Sequence, residues 1–247
     1  ATGYKAGGFS ARSLDNGFKP EELTSYEVGM KSEWLDKRLR LNASAYYSER
    51  KDMQVTSFVA GAGGAVAITT NAAKATYKGI EVEALAKPVD SLTLNATFGY
   101  VDREYDEYVV FDTATGMNVD IASFAKFSYS PSTTFNAGAQ LDFPPIAVGK
   151  LSARLDYNYI SKRVFVSNPR VYPFYNDIAA PESGLLDARL TLSDIAIGSG
   201  DASLSLWGKN ITDKEYKNLG TDLGALGFAT NSYGDPTTWG VDLSFRY

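Results

Sequence analysis

The first candidates for chemistry in this 247-residue chain are two glutamates, Glu81 and Glu83. In an extended strand they point to the same face roughly 7 Å apart, a spacing that resembles the paired carboxylates of glycoside hydrolases. The chain contains no histidine and no cysteine, which excludes Ser-His-Asp sites, Cys-His sites and metal sites built on either residue. Because alternation of polar and apolar residues already explains the pair, we predict no enzymatic activity, no catalytic residue, no metal site and no cofactor.

The composition narrows the possible partners. A net charge of −5 and a pI near 4.9 argue against nucleic acid. The chain has 16 Tyr, 13 Phe and 3 Trp, many of them near the ends of alternating segments. Membrane barrels place aromatic girdles there, although aromatic residues favour β-sheets in general. We therefore predict contact with outer-membrane lipid and none with nucleic acid.

The closing residues 238–247 alternate strictly between apolar and polar side chains. The apolar positions are Trp239, Val241, Leu243, Phe245 and Tyr247. A strand with one wholly apolar face and a terminal aromatic residue is typical of the last strand of a bacterial outer-membrane barrel. The same period recurs around residues 39–48, 92–100, 135–143, 151–159 and 186–193. A soluble β-sandwich also alternates in this way, so the period alone leaves both folds open.

The lengths of the connections favour the barrel. We expect strands near residues 3–9, 23–33, 38–56, 72–87, 91–106, 132–143, 149–165, 184–194, 201–211 and 237–247. The connections between them alternate between short (34–37, 87–90, 144–148, 194–200) and long (10–22, 57–71, 107–131, 166–183, 212–236). Outer-membrane barrels have short periplasmic turns and long external loops, whereas a sandwich has no reason to place every long loop at one end. Residues 53–73 are not apolar enough for a membrane helix, and we expect a mobile loop there.

Ten strands could close into a small barrel, but the length of several strands indicates a larger one. Several strands exceed the roughly 9 to 11 residues that cross a bilayer. An open sheet edge in lipid would leave on the order of five unpaired backbone groups, each costing several kcal/mol. The chain begins at Ala1, without an initiator methionine or signal peptide. We therefore expect a fragment or processed piece, residues 1–247 being the C-terminal portion of an all-β, antiparallel transmembrane barrel.

Four segments carry a family resemblance. They are residues 3–9 (GYKAGGF), 20–31 (PEELTSYEVGMK), 71–83 (NAAK through YKGIEVE) and 210–216 (NITDKEY). Over essentially its whole length the chain resembles the C-terminal barrel of TonB-dependent outer-membrane receptors. The resemblance implies a 22-stranded barrel, of which these would be about the last ten strands, with the plug domain and the earlier strands outside this chain.

The resemblance also implies a function. Such a receptor would import a scarce nutrient, a ferric siderophore above all, with energy from the TonB complex reached through the missing N-terminal part. Its ligand would be a small molecule, expected to be a metal chelate, and its location the bacterial outer membrane. A passive porin-like channel is the alternative.

Two groups of residues are candidates for contact with a solute. Polar strand residues would line the lumen, to hold a plug or guide a solute, and a solvated wall without selectivity is the competing interpretation. These residues are Arg40, Glu81, Glu83, Arg154, Asp156, Asp187, Arg189, Lys209, Asp242 and Arg246. Aromatic residues and arginines of the external loops would suit a planar or anionic ligand, or would simply pack the loops together. These are Tyr108, Phe111, Arg163, Phe165, Arg170, Tyr172, Phe174 and Tyr175.

Overall fold

The chain folds around one long antiparallel sheet. The computed structural model describes residues 1–10, 13–61, 64–112 and 115–247. In chain order the strands are β1 (Thr2–Lys5), β2 (Gly8–Ser10), β3 (Ser13–Phe18), β4 (Glu21–Trp34), β5 (Leu39–Gly61), β6 (Gly64–Val89), β7 (Leu92–Asp112), β8 (Met117–Asp120), β9 (Thr133–Asp142), β10 (Lys150–Ile160), β11 (Ser183–Ile197), β12 (Gly200–Lys209), β13 (Lys217–Leu223), β14 (Phe228–Tyr233) and β15 (Thr238–Arg246). A short helix, α1 (Tyr175–Ile178), and a 3-10 turn (Gly224–Leu226) complete the secondary structure of the described residues. No helix among them is long and apolar enough to cross a membrane.

Ten strands follow one another along the sheet in the order β1-β4-β5-β6-β7-β9-β10-β11-β12-β15, and β8 pairs with β7 off this path. The hairpins β2–β3 and β13–β14 form separate two-stranded sheets. Within the described residues the path ends at β1 on one side and at β15 on the other, so the sheet is open at both edges. The prediction of an antiparallel all-β fold with about ten principal strands is confirmed.

The pairing register keeps one apolar face across the whole sheet. One cross-strand row contains Val28, Ala45, Ile80 and Tyr100, and another contains Leu155, Ala188, Gly208 and Trp239. These side chains are not covered: Leu190 is 44% exposed, Leu206 53% and Val241 60%. A two-layer sandwich would bury such residues between its sheets. The structure is therefore a single layer whose apolar face is available to a bilayer.

Apart from the β5–β6 hairpin, whose strands are themselves long, the connections alternate in length along the principal sheet. Short ones join β4 to β5, β6 to β7, β9 to β10 and β11 to β12 at one end, which we name the turn end. The opposite end, the loop end, holds the long connections and both hydrophobic clusters. One cluster contains Tyr108 and Ile121, and the other contains Phe165 and Ile178. The packed core of this chain thus lies among its loops, because the strands turn their apolar face outward.

One predicted loop is wrong. Residues 57–61 and 64–71 continue β5 and β6, which pair from Leu39↔Ala86 to Gly61↔Gly64, and only residues 62 and 63 lie outside the described residues. The segment 53–73 is therefore mainly a long hairpin and not the expected mobile loop. Its β-branched residues favour extended backbone, and each added pair extends the hydrogen-bonded ladder despite the Gly and Ala content.

Other predicted boundaries also differ. The predicted strand at 149–165 ends at Ile160, the strand at 91–106 continues to Asp112, and the first strand is divided into β1 and β2. Four long connections contain structure of their own: the hairpin β2–β3, strand β8, helix α1 and the hairpin β13–β14. Elements this short span too few residues to show a clear alternation of apolar and polar side chains in the sequence.

Candidate functional site

The polar face of the sheet carries all ten strand residues that the sequence proposes for a lumen. The registers of β5, β6, β10, β11, β12 and β15 place them opposite to the apolar face. The fold brings four of them together in pairs. Arg154 donates two hydrogen bonds to Asp156, at 2.8 and 2.5 Å, and Arg189 Nη2 lies 2.9 Å from Asp242 Oδ2. That this face lines a closed lumen stays a prediction.

Most of the remaining wall charges are also satisfied by neighbours. Arg40 pairs with Glu33 at 2.8 Å, Glu83 accepts a hydrogen bond from Asn42, Asp187 accepts the Asn210 backbone N–H, and the Lys209 ammonium lies 5.8 Å from the Trp207 ring centroid. Glu81 and Arg246 are exposed and form no ion pair with a described residue. Exposed pairs contribute at most about 1 kcal/mol each, so this network orders the wall more than it stabilises it.

The eight loop residues proposed for ligand contact do not form one site. Tyr108 and Phe165 are 6% and 4% exposed and belong to the two hydrophobic clusters, so they pack the loops and offer a ligand almost no surface. Arg170 covers the Phe124 ring at 3.6 Å, which joins two loops. Phe111 is 61% exposed near the end of β7. Tyr172 and Phe174 are half-buried beside α1, and Arg163 and Tyr175 line the pocket described next.

A basic pocket of about 350 Å³ opens where β7, β9 and β10 reach the loop end. Four cationic residues line it, and we name it the cation pocket: Arg103, Lys126, Lys162 and Arg163. Its other lining residues include Asp102, Phe127, Ser130, Ser132 and Tyr175. None of the four cations forms an ion pair with a carboxylate of the described residues. The described residues contain no cluster of acidic side chains that could hold a metal ion.

Strand β7 and the following loop position one side of this pocket. Arg103 lies on the polar face of β7 and donates hydrogen bonds to Ser130 O at 2.8 Å and to Ser132 Oγ at 3.4 Å. Its guanidinium carbon is 5.8 Å from the centroid of Phe127, a ring that also stacks on Tyr105 at 3.9 Å and meets Tyr77 edge-on at 5.5 Å. The hydrogen-bond and ring partners of Arg103 are therefore neutral, whereas Asp102, another lining residue, attracts its charge without forming an ion pair.

The other side of the pocket comes from the connection after β10. Arg163 donates a hydrogen bond to Lys217 O at 2.7 Å, which attaches this connection to the hairpin β13–β14. Burial raises the pKa of Tyr175, so its phenol stays protonated at neutral pH and remains a donor. The arrangement offers guanidinium, ammonium and hydroxyl groups around one space, which suits an anion.

Asp120 anchors the loop that carries Lys126 and Phe127. Its carboxylate accepts the backbone N–H groups of Ala122 at 2.9 Å and of Tyr108 at 3.0 Å. These two hydrogen bonds hold the pKa of Asp120 below its ordinary value of 3.8. A lowered pKa means that the anchor is fully present above the ordinary value and is lost as the pH falls through the lowered one.

This anchor predicts a pH profile. Hydrogen exchange at the Tyr108 and Ala122 amides, corrected for intrinsic rates, should be constant from pH 8 to pH 5 and should accelerate only below about pH 4. Asp120→Asn should accelerate exchange at neutral pH and remove the acid transition. Asp106→Asn, which neutralises a carboxylate that accepts a hydrogen bond from Thr76 on the neighbouring strand, is the matched control. An acid transition that persists in Asp120→Asn would assign it to another group.

Comparison with known proteins places this fold in a family. The model of the TonB-dependent receptor-like β-barrel matches residues 1–211. The chain belongs to the TonB-dependent receptor β-barrel family. It is accordingly an outer-membrane protein of Gram-negative bacteria, from a family of receptors and transporters. The loop end of the sheet is thus the external end and the turn end the periplasmic one.

Solved receptor structures share the barrel. The chain is 20% identical to the ferric yersiniabactin uptake receptor FyuA of Yersinia pestis, with a TM-score of 0.72 over 98% of this chain and 33% of that one. For BauA, the ferric preacinetobactin receptor of Acinetobacter baumannii, identity is 18%, the TM-score 0.66 and the coverage 99% and 33%. For the ferric-catecholate import receptor Fiu of E. coli K12, identity is 18% and the TM-score is 0.64, over 98% of this chain and 29% of that one. At these identities the likeness concerns the fold, and this receptor chain spans about a third of their length.

Proposed function

We propose that the full-length protein imports a ferric siderophore across the outer membrane with energy from the TonB complex. The observation that carries the proposal is family membership over residues 1–211. The names of similar structures support the choice of cargo: FyuA and BauA are receptors for ferric siderophores, and FpvA of P. aeruginosa was solved with iron-loaded pyoverdine. Another similar structure is a copper transporter, so the fold by itself leaves the cargo open.

The parts of the chain take simple roles in this proposal. The apolar face contacts outer-membrane lipid, the polar face encloses a plug, and the loop end receives the chelate from outside. The coupling to TonB belongs to parts of the protein beyond these residues. The protein performs no chemistry on its cargo and needs no cofactor.

Deletion of the gene in an iron-limited host tests the proposal. Uptake of radioactive iron, supplied as a panel of ferric siderophores, should fall at least about tenfold for one chelate and return on complementation. A protonophore or a tonB deletion should abolish the same uptake. Uptake that survives both treatments would indicate a passive channel in place of a TonB-coupled receptor. Uptake of every chelate that is unchanged by the gene deletion would refute import of iron.

A further inference from the structure

We propose that the cargo of this receptor presents a compact anionic group, and that the cation pocket binds that group. The inference rests on the proposed function and narrows it from ferric chelates in general to anionic ones. The pocket follows from tertiary structure, because its four cations come from β7, from the loop before β9 and from the connection after β10.

The charge of the pocket is opposite to that of the chain. The protein has a net charge of −5, yet four positive side chains and one carboxylate, Asp102, line about 350 Å³, and none of the four forms an ion pair with a carboxylate in the described part. Like charges repel one another, so packing alone gives no reason to gather them. Arg103 and Arg163 are also half-buried, which strengthens their field within the pocket.

The chemistry of the lining matches an oxyanion. Arg and Lys side chains donate hydrogen bonds and accept none, and the Tyr175 hydroxyl has no hydrogen-bond partner among the described residues. Only one terminal nitrogen of Arg103 is used by Ser130 and Ser132, so its other N–H groups are available. The volume equals that of roughly a dozen water molecules, enough for a carboxylate-bearing arm or one catecholate ring of a larger chelate.

The position of the pocket favours a solute over a lipid phosphate. Arg103 lies on the polar face of β7, whereas Tyr100 and the neighbouring apolar row lie on the face that meets the bilayer. An anion bound between Arg103 and Lys162 therefore arrives from the external side of the enclosed space. Lipid headgroups surround the opposite face.

Two charge-removing substitutions test the inference in the full-length receptor. Lys126→Gln with Lys162→Gln should weaken binding of a trianionic ferric tris-catecholate about tenfold or more, and binding of a neutral ferric tris-hydroxamate less than twofold. Lys126→Arg with Lys162→Arg should keep the affinity. Lys51→Gln with Lys78→Gln is the matched control, because it removes the same charge from exposed positions outside the pocket.

A second measurement does not depend on the cargo. Citrate should protect Lys126 and Lys162 from acetylation in the wild-type receptor, and should leave Lys51 and Lys78 unprotected. Absence of protection, protection by lipid vesicles in place of citrate, or equal loss of anion binding in the control variant would overturn the inference. A wild-type receptor that binds only the neutral chelate would overturn it as well, while the uptake experiment would still stand for the proposed function.

Discussion

Replacing Asn210 by alanine is expected to lower the free energy of unfolding by about 3 to 4 kcal/mol, the largest effect of any single substitution considered. Asn210 is 4% exposed and its backbone φ is 47°. Its amide nitrogen donates to Lys214 O and Asp235 O, and its amide oxygen accepts the Lys214 N–H at 2.9 Å. Alanine would leave these partly buried backbone groups without their side-chain partner, at the point where the last external connection leaves β12.

The measurement is urea unfolding of the full-length barrel in lipid vesicles, followed by tryptophan fluorescence. Asn210→Asp keeps an acceptor for Lys214 N–H and should fall between wild type and Asn210→Ala. Asn218→Ala, at an exposed position of β13 in the same connection, is the control and should change stability by less than about 0.5 kcal/mol. Equal losses of unfolding free energy in both alanine variants would mean that any substitution in this connection destabilises it, and that the Asn210 side-chain hydrogen bonds have no special role.

A methyl group at Gly79 is expected to destabilise the sheet by about 1 to 3 kcal/mol. The ring of Tyr46 in β5 lies across Gly79 in β6, so an added Cβ would be 2.4 Å from ring atoms and 2.7 Å from the Tyr100 carbonyl oxygen. The ring could rotate, but the carbonyl is backbone of β7 and moves only with the strand. Gly79→Ala should therefore weaken the central three strands.

The chain provides a matched control for this substitution. Gly29, on the same polar face in β4, would place its Cβ 3.4 Å from the nearest atom, an ordinary contact. Gly29→Ala should be neutral within about 0.5 kcal/mol in the same unfolding measurement. Adding Tyr46→Ala to Gly79→Ala should recover part of the loss, because it removes the ring. Equal costs at both glycines would contradict a role for the Tyr46 contact.

The alternation of apolar and polar residues predicts the principal strands well, because each strand has one apolar face and one polar face. Leu151, Leu155 and Tyr157 fall on one face of β10 and Arg154 and Asp156 on the other, as their spacing requires. The prediction of a loop at residues 57–71 is wrong, because the high Gly and Ala content of this segment hides its strand pattern. Beyond the bilayer neither face of the sheet has to be apolar. A strand can therefore continue there without any alternation of apolar and polar residues in its sequence.

The cation pocket was not predictable from local pattern. Arg103 and Lys162 each lay in or at the end of a predicted strand, and Lys126 stood in a loop chosen for other residues. Their proximity depends on the pairing of β7 with β9 and of β9 with β10. The sequence prediction names clustered loop aromatics and two arginines. Of these, Arg163 and Tyr175 line the pocket, whereas Tyr108 and Phe165 are buried in loop packing. Alternation along β7 does place Arg103 on the polar face of that strand, the face of the other predicted lumen residues.

The ion pairs Arg154–Asp156 and Arg189–Asp242 give the wall a further property. Each positive side chain is cancelled by a negative one within the same patch, so the surface presents small dipoles and little net potential. If the full-length protein imports a chelate as proposed, a charged cargo that passes this face would meet no deep electrostatic minimum that delays its release. Under the same proposal, selection between cargoes would depend on the loop end, and the paired charges of the polar face would contribute little to it.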